Sequence, residues 1–158
     1  MSILVALTTI LHFAMIIHMV PVNYLAVLAC AVLSMIIGSI WYGPLFGKPW
    51  MKLMGMTKES MKGFKSSDMA RLYGIQLLGS LVMAFVLSHT IVFAMSYLDT
   101  SGVSAGLQTG FWNWLGFVAP VTLTSVLWEG KSWNLWLLNN AYYLVLLSSM
   151  GIVLALWI

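Results

Sequence analysis

Charge is the scarcest commodity in this chain. Only 7% of its 158 residues are Asp, Glu, Lys or Arg. A water-soluble domain carries about 25%, because its surface must be hydrated. A soluble globule of this length is therefore excluded, and most of the surface must face the lipid bilayer. Cysteine is also scarce. The single Cys30 lies in an apolar run, which excludes an intrachain disulfide and leaves no CxxC metal pair. The chain has no Gly-rich phosphate loop, nucleophile motif or spaced carboxylate pair, so no catalytic residue, cofactor or metal is expected. The net charge of +3 is not a nucleic-acid signal, because the basic residues crowd into one short stretch.

What the chain does contain is length without charge. Four apolar runs, 23–41, 72–98, 103–128 and 133–158, reach the roughly 20 residues that cross a bilayer as helix. They show no apolar/polar alternation and are too long for barrel strands. The expected fold is all-α: an integral membrane helical bundle with four core transmembrane helices over residues 21–158. The stretch 1–20 adds a further hydrophobic helix. It lacks a basic residue before its apolar part, and His18-Met19-Val20 is a poor small-residue cleavage site. It is read as retained, ending at Pro21. A cleaved signal and a translation start at Met19 are the alternatives.

Orientation follows from the basic residues. Lys48, Lys52, Lys58, Lys62, Lys65 and Arg71 lie between the 23–41 and 72–98 runs, and Lys131 lies in the last turn. Lys and Arg favour the cytoplasmic side. Segment 42–71 and the 129–132 turn are thus expected inside, and the Asp99 turn and the C-terminus outside. Segment 42–71 mixes Lys48 and Lys52 with Pro49, Trp50, Leu53 and Met54, and Thr57 and Ser67 are candidate helix caps. It reads as short interfacial helices.

Small residues recur at four-residue spacing. Ala26, Cys30, Ser34 and Gly38 form one stripe, Ser80, Ala84 and Ser88 a second, and Gly102, Gly106 and Gly110 a third. Such stripes let helix backbones approach closely in lipid. They pack the bundle internally or, on a sharper reading, build a homo-oligomer. Trp41, Trp50, Trp128, Trp133, Trp136 and Trp157 fall at the expected interfaces, as an aromatic belt does.

Polar groups inside the runs are the functional candidates. They are His12, His18, His89, Gln76, Gln108, Asn113, Asn139 and Asn140. Each also has a plainer role as an interhelical hydrogen bond. Trp112 and Trp114 flank Asn113 and suggest a polar pocket. Pro120 frees the carbonyl near Gly116, which Thr122 or Thr124 could satisfy. Glu129 sits at a helix C-terminus against the macrodipole, either in a solvated turn with Lys131 or tucked under the bundle.

The stretches Asn23-Tyr24-Leu25-Ala26, Trp41-Tyr42-Gly43-Pro44-Leu45-Phe46-Gly47-Lys48-Pro49-Trp50-Met51 and Leu53-Met54-Gly55 resemble the opening of a bacterial membrane family catalogued as domain of unknown function 1761. The resemblance resumes over Gly110-Phe111-Trp112 and Gly116-Phe117-Val118-Ala119-Pro120. It continues through Trp128-Glu129-Gly130-Lys131-Ser132-Trp133 and Leu135-Trp136-Leu137, covering about 21–158. It implies a four-helix bacterial inner-membrane protein and carries no assigned activity or site. The first 20 residues depart from the pattern. Three functions fit: a non-enzymatic bundle that self-associates or serves as a partner subunit, a small transporter or channel subunit, and a lipid- or quinone-binding module using His89 and the Trp cluster.

Overall fold

The computed structural model describes residues 7, 8, 10, 20–57 and 66–157, and those residues contain helices and no strand. Most of the expected 1–20 helix, including His12 and His18, lies outside them, as do Lys58, Lys62 and Lys65.

Helix α1 (Tyr24–Ile40) starts where the chain supplies a cap. The Asn23 side chain accepts from the Leu25 and Ala26 amides at 3.0 and 3.1 Å. The helix then widens into a π-turn, Trp41–Leu45, closed by Phe46 N–H donating to the Trp41 carbonyl at 2.8 Å. Pro44 explains the widening, because it lacks the N–H that would bond the Ile40 carbonyl. Helix α2 (Gly47–Leu53) follows and carries Lys48 and Lys52. Gly47 is compulsory at this junction: a Cβ there would lie 2.6 Å from the Tyr42 carbonyl oxygen.

Helix α3 (Ser66–Leu98) has 33 residues. At 1.5 Å per residue it is roughly 50 Å long, well beyond a ~30 Å hydrocarbon core. It already includes Ser66, so Ser67 sits within the first turn rather than capping it. Helix α4 (Gly102–Asn113) leads into a second π-turn, Trp114–Val118, then α5 (Ala119–Thr122) and α6 (Thr124–Leu127). Here too a proline accounts for the break, since Pro120 offers no N–H to the Gly116 carbonyl. Helix α7 (Trp133–Leu156) closes the chain, its first turn capped by Ser132.

Three helical segments are long and apolar enough to cross a membrane: Tyr24–Leu45, Ser67–Leu98 and Trp133–Leu156. The α4–α6 rod is not among them. It carries Gln108, Asn113 and three early glycines, and it is interrupted at Leu123.

Helix α7 is the hub, packed against α1, α3 and most extensively α4. The core gathers Cys30, Leu87, Ile91, Leu146, Met150 and Leu154. The small-residue stripes are all used inside it. A Cβ on Gly106 would lie 2.5 Å from the Gly151 carbonyl group, and one on Gly110 would lie 2.6 Å from the Leu147 carbonyl oxygen. The backbones of α4 and α7 are thus in direct contact. Cys30 donates to the Met150 carbonyl, and Ser34 and Ser80 share a 2.7 Å hydrogen bond between α1 and α3. Gly102, at the head of its stripe, has positive φ and only the Leu156 side chain nearby.

Two contacts fix the ends of the bundle. Asn23 Nδ2 donates to the Trp157 carbonyl at one end, and Tyr42 donates to Asn139 Oδ1 at 3.0 Å toward the other. The Gly102 turn joins the first end through Leu156. The Trp41–Leu53 segment and the start of α7 therefore share an end, opposite Asp99.

Candidate functional site

Helices α1 and α3 are joined by the hydrogen bond between Ser34 and Ser80, both almost fully buried. Beyond that hydrogen bond the two helices part. Residues 70–76 of α3 are exposed, and a Cβ on Gly74 or Gly79 would meet nothing within 4 Å. The gap is a partly open cavity of about 660 Å³ walled by α1, α3 and α7. Volumes of 300–1,000 Å³ are typical of small-molecule sites.

Its walls combine apolar and hydrogen-bonding groups. Helix α1 and its π-turn contribute Ser34, Met35, Gly38, Ser39, Tyr42 and Gly43. Helix α3 contributes Met69, Leu72, Tyr73, Ile75 and Gln76, and α7 contributes Tyr142 and Tyr143. None of these carries a charge. The tyrosines form a continuous aromatic wall: Tyr42 and Tyr142 have ring centroids 5.0 Å apart, and Tyr142 and Tyr143 5.3 Å. Trp50 packs edge-on against Tyr42 at 5.4 Å, and Trp41 stands 6.1 Å from Tyr142. Asn139 holds the Tyr42 hydroxyl in place. Tyr142 is only 7% exposed, yet its hydroxyl has no hydrogen-bond partner among the described residues. That hydroxyl stands over Gly38, where a Cβ would approach it to 3.3 Å.

The structure does not bring Trp112, Asn113 and Trp114 together with Pro120 and Glu129 in one cavity. Trp112, Asn113 and Trp114 are consecutive, so their side chains leave the helix about 100° apart. Trp112 is 60% exposed. Asn113 donates to the Thr109 carbonyl of its own helix. Trp114 packs against the hydrophobic core, its Nε1 buried with no partner among the described residues. Trp112 and Asn113 do line a second cavity, of about 90 Å³, with Gln108 and Thr109. Pro120, Glu129 and His89 line neither cavity. His89 Nδ1 meets the Phe85 carbonyl at 2.8 Å, and its Nε2 is buried with no partner among the described residues. Glu129 is exposed in the 128–132 turn and makes no ion pair among the described residues, so it is not tucked under the bundle. Exposure spares the carboxylate its desolvation cost. The neighbouring Lys131 amide closes that turn on the Ser125 carbonyl.

A polar hub does form beside Pro120, around a residue valued only for its hydroxyl. Thr122 Oγ1 donates to the Val118 carbonyl at 2.8 Å, with the Ala119 carbonyl at 3.2 Å. It accepts from Trp136 Nε1 at 3.1 Å and Asn140 Nδ2 at 3.0 Å. One donor and two acceptor positions are all used. Trp136, expected in the interfacial belt, is turned inward by this bond. Thr122→Val keeps the shape and removes every bond to Thr122 Oγ1, orphaning the Trp136 Nε1 donor and leaving Asn140 Nδ2 only its bond to the Trp136 carbonyl. It is expected to lower stability by about 1–3 kcal/mol in an SDS-unfolding titration, with Thr122→Ser close to wild type.

No curated protein and no solved structure matches this chain. Residues 25–155 match the family described as "Protein of unknown function (DUF1761)". That match takes in both π-turns, the cavity walls and the Thr122 hub, and the chain belongs to the DUF1761 family.

Proposed function

We propose that this protein is a non-enzymatic multi-pass membrane protein that binds a membrane-soluble small molecule in the cavity between α1, α3 and α7. The observation that carries the reading is the cavity itself. It has the volume of a ligand site, an uncharged wall and polar groups converging on it. In this reading the α4–α6 rod is the fourth span. Although polar for its length, it is held against α7 by backbone contact. The bundle sits in a bacterial inner membrane with segment 42–71 and Lys131 on the cytoplasmic side and Trp157 outside. Helix α2, with Lys48, Lys52 and Trp50, lies in the headgroup layer at the cavity end.

Self-association has less support. The stripes that motivated it face neighbours within the chain: Gly106 meets Gly151, Cys30 meets Met150, and Ser34 meets Ser80. A transporter pathway through Asn113 and Glu129 lacks a shared cavity for the two residues.

The test is native mass spectrometry of the protein extracted in mild detergent from its own membrane. Gly43 lines the cavity and has open space around its Cβ position, so Gly43→Leu fills the site without a backbone clash. Wild type is expected to carry a small molecule that Gly43→Leu lacks. Equal occupancy in the two proteins, or none in either, would overturn the reading.

A further inference from the structure

We infer that the ligand of this cavity is a neutral, planar ring bearing carbonyl acceptors and an apolar tail, the chemistry of an isoprenoid quinone. This rests on the cavity being a binding site, as proposed above.

Charge decides first. Among the described residues that line the cavity, none is ionisable as an acid or a base near neutral pH. An anionic or cationic head drawn into such a site would lose its hydration and find no counter-charge, which is strongly unfavourable. Lys48, Lys52 and Arg71 are near in sequence, but none lines the cavity. An anionic lipid head would remain with them in the headgroup layer.

Hydrogen bonding decides next. The Tyr142 ring is nearly buried, and its hydroxyl opens on the cavity and makes no hydrogen bond among the described residues. A buried phenol normally finds an acceptor. A plain acyl chain in the cavity would leave that hydroxyl unpaired, at a penalty a carbonyl oxygen removes. Gln76, on the opposite wall, has a side-chain amide that makes no hydrogen bond among the described residues. Donors on two facing walls suit a ring with an acceptor at each edge. Tyr42, by contrast, spends its proton on Asn139 and serves as wall rather than donor.

Shape agrees. Tyr42, Tyr142 and Tyr143 present closely spaced rings, and aromatic faces favour a flat guest. The apolar tail has a way out between α1 and α3, where Met35, Leu72 and Ile75 line the gap. Ordered water could also satisfy Tyr142, so the experiment must separate a ring from water and from lipid.

The experiment is a decylubiquinone titration of the full chain in phosphatidylcholine nanodiscs, followed by tryptophan quenching with Trp50 and Trp41 beside the aromatic wall. Empty nanodiscs and phosphatidylglycerol-doped nanodiscs are the controls. Saturable quenching is expected in wild type. Tyr142→Phe, which keeps the ring, is expected to weaken it about three- to tenfold, as loss of one hydrogen bond does. Ser39→Leu and Gly43→Leu, two independent fillings, are each expected to abolish saturation. Phosphatidylglycerol is expected not to compete. Wild-type quenching no greater than partition into empty nanodiscs, an unchanged Tyr142→Phe, or displacement by phosphatidylglycerol would each overturn the ligand class. If a small molecule nevertheless co-purifies with wild type and not with Gly43→Leu, the cavity stands and only the class falls. If neither is seen, both fall.

Discussion

Gly106→Leu is expected to destabilise the protein by about 3 kcal/mol or more in an SDS-unfolding titration. Even the first carbon of the new side chain would lie 2.5 Å from the Gly151 carbonyl carbon and oxygen. Those are backbone atoms within a 24-residue helix, and they cannot rotate aside. The two helices must separate, and overpacking that moves backbone lies at or above the usual 1–3 kcal/mol. Separation is especially costly in lipid, where apolar burial does not drive helices together and close backbone contact supplies much of the attraction. Gly79→Ala is the control. A Cβ on Gly79 meets nothing within 4 Å, so alanine there should be neutral or slightly stabilising through helix propensity. An unchanged Gly106→Leu would contradict the α4–α7 packing.

Tyr142→Ala is the second large effect, at about 3 kcal/mol. The ring is nearly buried and touches Trp41, Tyr42 and Tyr143. Truncating a buried aromatic costs about 3–5 kcal/mol. The low end applies because the site already borders a cavity and the lipid reference state is itself apolar. Tyr142→Phe retains all three ring contacts and should unfold near the wild-type midpoint. The pair separates the structural work of the ring from the hydroxyl used in ligand recognition. A Tyr142→Phe as unstable as Tyr142→Ala would contradict that division.

Much of the fold was legible because lipid makes simple demands. A span needs about 20 uncharged residues, and the 23–41 and 133–158 runs agree with α1 and α7 to within a few residues. Pro120 was legible as a break, because a missing N–H acts locally. The π-turn it produces was not, since widening a helix depends on what the neighbouring helix accepts. The α4–α6 rod shows the limit of hydropathy. Gln108 and Asn113 lower its apolar character, although both side chains satisfy themselves within their own helix.

The candidate site was less legible. Trp112, Asn113 and Trp114 drew attention because they are adjacent in sequence, but adjacency on a helix means divergence in space. Tyr42 and Tyr142 are 100 positions apart in numbering, yet their rings pack 5.0 Å apart with a 58° tilt. Their meeting requires knowing that α1 ends where α7 begins. A signal did exist: Gly43-Pro44 marks a break beside Tyr42, and Tyr142-Tyr143 lies about one helical turn beyond Asn139 on α7. In the sequence, Thr122 shows only as a hydroxyl able to cap a carbonyl freed by Pro120. Its second task, organising Trp136 and Asn140, needed the α5–α7 contact.

The arrangement proposed above has four crossings, with the Trp41–Leu53 segment and Lys131 on one side and the Asp99 turn on the other. Cysteine accessibility tests this directly. Native Cys30 is buried and hydrogen-bonded to Met150, so single cysteines can be read against it. Lys52→Cys, Lys131→Cys and Ser101→Cys all replace exposed residues. In right-side-out vesicles a membrane-impermeant maleimide is expected to label Ser101→Cys alone, with Lys52→Cys and Lys131→Cys reacting only after the vesicles are opened. Labelling of Lys131→Cys in sealed vesicles, or of Lys52→Cys and Ser101→Cys from the same side, would contradict the four-span bundle.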